Sequence, residues 1–163
     1  MTDTEILESL RKADIFHDIG DEHLERLAKI ARFVEFPAHH EMFHERDPAT
    51  DVFVIVSGRV SLIICLPNVG CRELAKIGPG ELVALSPVVG RTRLLDTART
   101  IEATTALAFD GEKALALCRE DKEFGFEFMH RVAGGLARRL SDTRMQFLEM
   151  AGFHLPQIQL ESD

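Results

Sequence analysis

The stretch DVFVIVSGRVSLIICL, residues 51–66, constrains the fold more than any other segment of the chain. It is dense in β-branched and aromatic residues, which favour extended, pleated backbone, and Ser57-Gly58 interrupts it as an internal turn. Its surroundings carry the same signal. RFVEF (32–36) alternates and ends at Pro37, CRELAKI leads into Gly78-Pro79-Gly80, and residues 98–109 give two more strand-like stretches. Several short strands at close spacing predict a sandwich or barrel-like roll.

Helical patterns flank this β-rich middle. Residues 4–13 place Ile6, Leu7 and Leu10 on one face. A second helix is expected from about Asp21 to Ile30, capped by Asp18 or Asp21, with Leu24, Leu27 and Ala28 facing the core. After Glu112 a short helix, GEKALALCRE, precedes a long one. Val132, Leu136, Leu140, Thr143, Phe147 and Met150 form a seam of near-heptad period along it. The arginines at 131, 138, 139 and 144 are expected to flank that seam and keep its edges solvated. Gly134-Gly135 interrupts the pattern at about 1 kcal/mol per glycine relative to alanine. Its expected role is a junction or hinge between two helices.

Length and composition set the outer limits. The chain has 163 residues, 45 % apolar and 28 % charged, as befits one soluble domain. No run approaches the roughly 18 apolar residues that would span a bilayer, and MTDTEILESLRK is too acidic for a signal or transit peptide. A cytoplasmic protein with no membrane partner is expected. The net charge of −8 argues against DNA as a partner but allows a local basic pocket for a small anion. Cys65, Cys71 and Cys118 are expected to be reduced thiols. Cys65 and Cys71 flank a turn, LPNVG, either as a redox pair or, the favoured reading, as two ordinary thiols. His39, His40 and His44 cluster without the spacing of a closed zinc motif, so a solvated turn is expected and no metal is assigned. No arrangement for nucleophilic catalysis is visible, and an enzyme is not expected.

Four stretches in order resemble the cyclic-nucleotide-binding domain superfamily, as in the sensory half of the catabolite activator family. They are DIFHDIG (14–20), EMFHERDPATDVFVIVSGRVSLI, GPGELVAL and EFMHRVAGGLARRLSDTRM, and together they cover about residues 13 to 150. The resemblance implies a mainly β fold with flanking helices, a double-stranded β-helix or jelly-roll-like β-roll in one domain. Its segments would be N-terminal helices (1–30), a roll with a phosphate-binding cassette (31–110), two C-terminal helices (111–151) and a tail (152–163). The helix-turn-helix half of the activators is expected to be absent, with only a dozen or so residues left after the long helix.

The resemblance also implies a pocket between the roll and the long helix, with cAMP, cGMP or a related nucleotide as ligand and no other cofactor. A cyclic nucleotide needs N–H groups and a cation for its phosphate, and an acceptor for its ribose hydroxyl. Gly80 lets backbone approach a ligand. Glu81 stands where the family places the ribose acceptor, and Leu82 and Val83 begin a helical turn aimed at the phosphate. The family's cassette arginine is displaced, because this cassette is about half a dozen residues longer. Counting forward gives Arg91-Thr92. Counting back from the strand puts Thr97 in its place, with Arg99-Thr100 two residues on. Arg91, Arg93 and Arg99 are the candidate cations. Asp96 either holds one of them or repels a phosphate. Thr143 falls where the family sets a hydroxyl against adenine, or else it is a polar break in the seam. Asp142 and Arg144 are where the lid should differ.

Two functions follow from the resemblance. One is a sensor that binds a phosphate-bearing nucleotide and signals to an unknown downstream protein by moving its long helix, as a homodimer joined through that helix. The other is a protein–protein interaction module whose pocket no longer binds nucleotide.

Overall fold

A computed structural model of the protein describes residues 3–158. Helix α1 (Asp3–Lys12) and a 3-10 turn (Asp14–Phe16) lead into α2 (Asp21–Ala28). Eight strands follow: β1 (Ala31–Phe36), β2 (Glu41–Phe43), β3 (Asp51–Ser57), β4 (Val60–Leu66), β5 (Gly70–Ile77), β6 (Leu82–Val83), β7 (Thr97–Thr100) and β8 (Thr104–Asp110). Helix α3 (Gly111–Glu120) and the long α4 (Lys122–Ala151) close the fold. The strands form two four-stranded antiparallel sheets, ordered β1-β8-β3-β6 and β2-β7-β4-β5. This is the β-roll with flanking helices that the resemblance implies.

The apolar density of residues 51–57 has a direct cause. Strand β3 is covered on both faces, so it need not alternate between apolar and polar. Val52 and Val54 point toward the helices, where with Leu107 and Phe109 of β8 they join Leu10, Phe16, Leu27, Phe124, Phe128 and Val132. Phe53 and Ile55, with Ala106 and Ala108, fill the space between the sheets against Val60, Leu62 and Ala98. The helix-side cluster fixes α4 over the roll, with the Phe16 and Phe128 rings stacked at 6.5 Å between centroids.

Several local expectations are corrected. The residue capping α2 is Gly20, and it makes no side-chain cap; Asp18 instead takes a positive φ in the preceding turn. Leu82-Val83 pairs with β3 as a short strand, and the helical turn falls later, at Ser86–Val89. The helix junction is at Asp121, not at Gly134-Gly135, through which α4 runs unbroken. Cys65 and Cys71 face each other across the β4–β5 hairpin, 4.0 Å apart between Cα atoms, and are joined as a disulfide; Cys118 stays free. Strand β2 separates His40 from His44, whose Nε2 pairs with Glu41 at the start of that strand. In the tail, Gly152–His154 form a 3-10 turn, and residues 159–163 lie outside the described residues. Among the described residues, no helix is long and apolar enough to cross a membrane.

Candidate functional site

A cleft of about 480 Å³ opens between the 3-10 turn after α1, the end of β5, the β5–β6 turn and α4. Its floor is built by Gly78-Pro79-Gly80-Glu81. Gly80 has φ of +83°, and its N–H donates to the Ile55 carbonyl at 2.8 Å. A Cβ there would come within 3.0 Å of the Asp14 backbone nitrogen. The glycine is therefore required by the turn and by the neighbouring chain. Glu81 is half-buried, and its Oε2 accepts from the Gly78 N–H at 2.8 Å. That bond ties one carboxylate oxygen to the turn. The other has no donor among the described residues.

The opposite wall is one face of α4. Arg131, Gly134, Gly135, Arg138, Arg139 and Asp142 all line the cleft. Their spacing of three, one, three, one and three residues is that of a single helical face. The floor near Arg139 is acidic. The Arg139 guanidinium donates to the Leu82 carbonyl and feels both Glu81 and Asp96. Burial lowers its pKa, the two carboxylates oppose that shift, and the adjacent Arg138 charge adds to it. Asp96 is half-buried just before β7, and burial raises its pKa, with Arg139 opposing and Glu45 adding. Among the described residues, Arg131 reaches only Glu127, at 3.8 Å, and its buried Nε has no hydrogen-bond partner. Lys76 and His130 also line the cleft.

Of the residues expected from sequence, Gly80, Glu81 and Leu82 line this cleft. Val83 is buried in the core between the sheets. The structure does not bring the cassette arginines here. The extra cassette residues fold back on the β2–β3 loop: the Ala49 N–H donates to the Thr92 carbonyl, Leu94 N–H to Asp47, and Arg46 N–H to Leu94. This pairing buries Leu94 and turns Arg91, Thr92 and Arg93 outward, with Arg93 donating to the Arg46 carbonyl. Arg99 is exposed on β7 and donates to the His39 carbonyl. Thr100 is buried, but its hydroxyl donates to the Pro37 carbonyl at 2.6 Å and accepts from the His40 N–H. Thr143 and Arg144 are exposed on α4 and do not line the cleft. Arg131, Arg138 and Arg139, expected at the edges of the seam, instead look into the cleft. The signal for this lay in their i, i+7, i+8 spacing around the glycine pair.

The arrangement suits an anion held beside a hydroxyl-bearing group. Guanidiniums supply forked donors, and the free oxygen of Glu81 supplies an acceptor. The lining residues include no serine, threonine or cysteine.

Comparison with known proteins agrees with this architecture. The family model described as "Cyclic nucleotide-binding domain" matches residues 33–121, more than half of the chain. The "CRP-like cAMP-activated global transcriptional regulator" of Mycobacterium tuberculosis is 25 % identical over 149 residues, covering 91 % of this chain and 65 % of that protein. The "Cyclic AMP receptor protein" of Thermus thermophilus is 26 % identical over 144 residues, covering 88 % and 64 %. The chain thus spans just under two thirds of the length of these curated relatives. A crystal structure of a cyclic nucleotide-binding domain from Methylobacillus flagellatus superposes with a TM-score of 0.79 over 96 % of this chain and 86 % of that one, at 20 % identity. The roll, the helix-covered cleft and the matching family model agree: this chain belongs to the cyclic nucleotide-binding domain family.

Proposed function

We propose that the protein is a regulatory sensor whose cleft takes a phosphate-bearing nucleotide and whose long helix carries the response to a downstream protein. The observation that carries this reading is the joint construction of the cleft: Gly80-Glu81-Leu82 on the roll and a guanidinium-bearing face of α4 meet across one opening. Glu81 accepts the ribose hydroxyl through its unengaged oxygen, and guanidiniums hold the phosphate. The names of the curated relatives make cAMP one ligand to test, with cGMP and cyclic dinucleotides beside it.

The response travels through α4, which bounds the cleft and also carries the apolar seam. Leu140, Phe147 and Met150 are 60 %, 55 % and 85 % exposed in a single copy. A second copy packing its own seam there would remove that surface from water, giving a homodimer. Titration calorimetry of the folded chain with cyclic mono- and dinucleotides tests the sensing role; measurable heat from at least one of them is expected. No heat from any of them removes that role.

One observation favours the second reading, a roll kept as a protein-binding scaffold. Arg139 is parked on the Leu82 carbonyl beside Asp96, so some of the floor is already occupied by the protein's own side chains. Under that reading every nucleotide is silent, while the seam still dimerises.

A further inference from the structure

We propose that the phosphate-binding surface is the helix face bearing Arg131, Arg138 and Arg139, not the cassette, and that it takes a nucleotide carrying two phosphate groups. The proposal rests on the nucleotide-sensing reading above and specifies its ligand.

The first argument is unmet hydrogen-bonding capacity. A guanidinium has five N–H donors and cannot shed its charge at ordinary pH. Arg139 gives a bond to Leu82, Arg131 has a buried Nε with no acceptor, and Arg138 makes no hydrogen bond or ion pair among the described residues. Arg139 is flanked by the like charge of Arg138 while half-buried. Glu81 and Asp96 offset part of the charge on Arg139 and Glu127 part of that on Arg131, but the remaining donors are left for an anion entering the cleft.

The second argument is geometric. Arg131 and the Arg138-Arg139 pair leave α4 two turns apart, about 10 Å along the axis at 1.5 Å per residue. Gly134 and Gly135 lie between them, and a Cβ on either would meet nothing within 4 Å. The wall is therefore a recess with cations at both ends. One phosphate serves one end. Two phosphates joined by sugar and base serve both, with the flat group lying across the glycine recess. The 480 Å³ volume lies within the ordinary range for small-molecule sites, roughly 300–1,000 Å³. The cassette offers no such grouping, since Arg91, Arg93 and Arg99 do not line the cleft and Arg93 and Arg99 bond the Arg46 and His39 carbonyls.

The test is titration calorimetry on the full chain with cyclic di-GMP, cyclic di-AMP and cAMP. It uses the wild type, Arg138→Gln, Arg131→Gln/Arg138→Gln and, as a control, Arg91→Gln/Arg93→Gln/Arg99→Gln. Arg138 is exposed, so its single variant should fold normally. A dinucleotide is expected to bind at least about tenfold more tightly than cAMP, and Arg138→Gln to weaken it by about tenfold, the loss of one charge-assisted contact. The double variant should weaken it further, and the control by less than about twofold. Equal affinity for cAMP, or a loss confined to the control, overturns the proposal and leaves the sensing role standing. Silence from all three nucleotides on folded protein, repeated with inorganic pyrophosphate, removes the sensing role and this assignment with it.

Discussion

Three glycines on α4 meet opposite surroundings, and the contrast shows what each does. A Cβ on Gly125 would lie 2.4 Å from the Cys118 carbonyl oxygen, so this residue lets α3 and α4 touch backbone to backbone. Gly134 and Gly135 face open space. Gly125→Ala must therefore push α3 and α4 apart and is expected to destabilise the fold by about 1–3 kcal/mol, as overpacking generally does. Gly134→Ala has room and gains helix propensity, so it should stabilise by up to about 1 kcal/mol. If the recess holds ligand, the same methyl group weakens nucleotide binding. Urea unfolding and calorimetry on the two variants check both signs. A Gly134→Ala protein that is more stable and binds nucleotide unchanged would remove the recess from the ligand's footprint.

At the scale of elements, α4 depends on how it starts. Asp121 caps it by accepting from the Phe124 N–H at 3.1 Å, and the same carboxylate lies 3.0 Å from His23 Nδ1 and 3.2 Å from Arg26. The Phe124 bond, with His23 and Arg26 adding, holds its pKa below the usual carboxylate range. A depressed folded pKa means the charge stabilises the fold above the unfolded value of about 3.9, and that this stability is lost as pH falls through the lower folded value. Asn keeps the cap acceptor and removes the charge. Asp121→Asn should thus lower the melting temperature near neutral pH, and the gap to wild type should close in strong acid. A gap unchanged down to that range would mean the charge contributes nothing.

Elements buried on two sides were the most legible in the sequence. Residues 51–57 read as a strand because both faces demand apolar side chains, and α1, α2 and the long helix read from their apolar stripes. Features set by tertiary contact did not show. Nothing local says that residues 91–94 pair with 46–49 and turn their arginines outward. The Cys65–Cys71 bond depends on the hairpin register that sets them opposite each other, which an odd cysteine count obscures. Gly134-Gly135 reads as a hinge because glycine weakens an isolated helix, yet α4 runs through it, anchored to the roll before it by Phe124, Phe128 and Val132 and after it by the Arg139 and Gln146 bonds to the Leu82 and Leu74 carbonyls.

For the whole molecule, the question is how a ligand in the cleft is felt elsewhere. Helix α4 has 30 residues, about 45 Å of rigid rod. Its cleft face (131, 134, 135, 138, 139, 142) and its seam (136, 140, 143, 147, 150) are offset by roughly a third of a turn at 100° per residue. Under the proposed sensing role, a ligand that draws Arg138 toward the roll, where Arg139 already bonds Leu82, tilts or rotates the rod, and the seam moves with it. In the proposed homodimer, binding and dimerisation are then linked, and linkage is reciprocal: each nucleotide bound changes the dimer dissociation constant by the factor by which dimerisation changes the affinity of its cleft, so filling both clefts changes it by the square of that factor. Typical couplings are about 5–150-fold, well within reach of sedimentation and calorimetry. Leu140→Glu/Phe147→Glu alters only exposed seam positions, so it should give a folded monomer. Its nucleotide affinity should differ from that of the proposed wild-type dimer by the square root of the factor that saturating nucleotide, filling both clefts, imposes on wild-type dimerisation. Equal affinities in monomer and dimer, together with a dimer constant indifferent to nucleotide, would show that the two faces of α4 act independently and that the signal leaves the roll by another path.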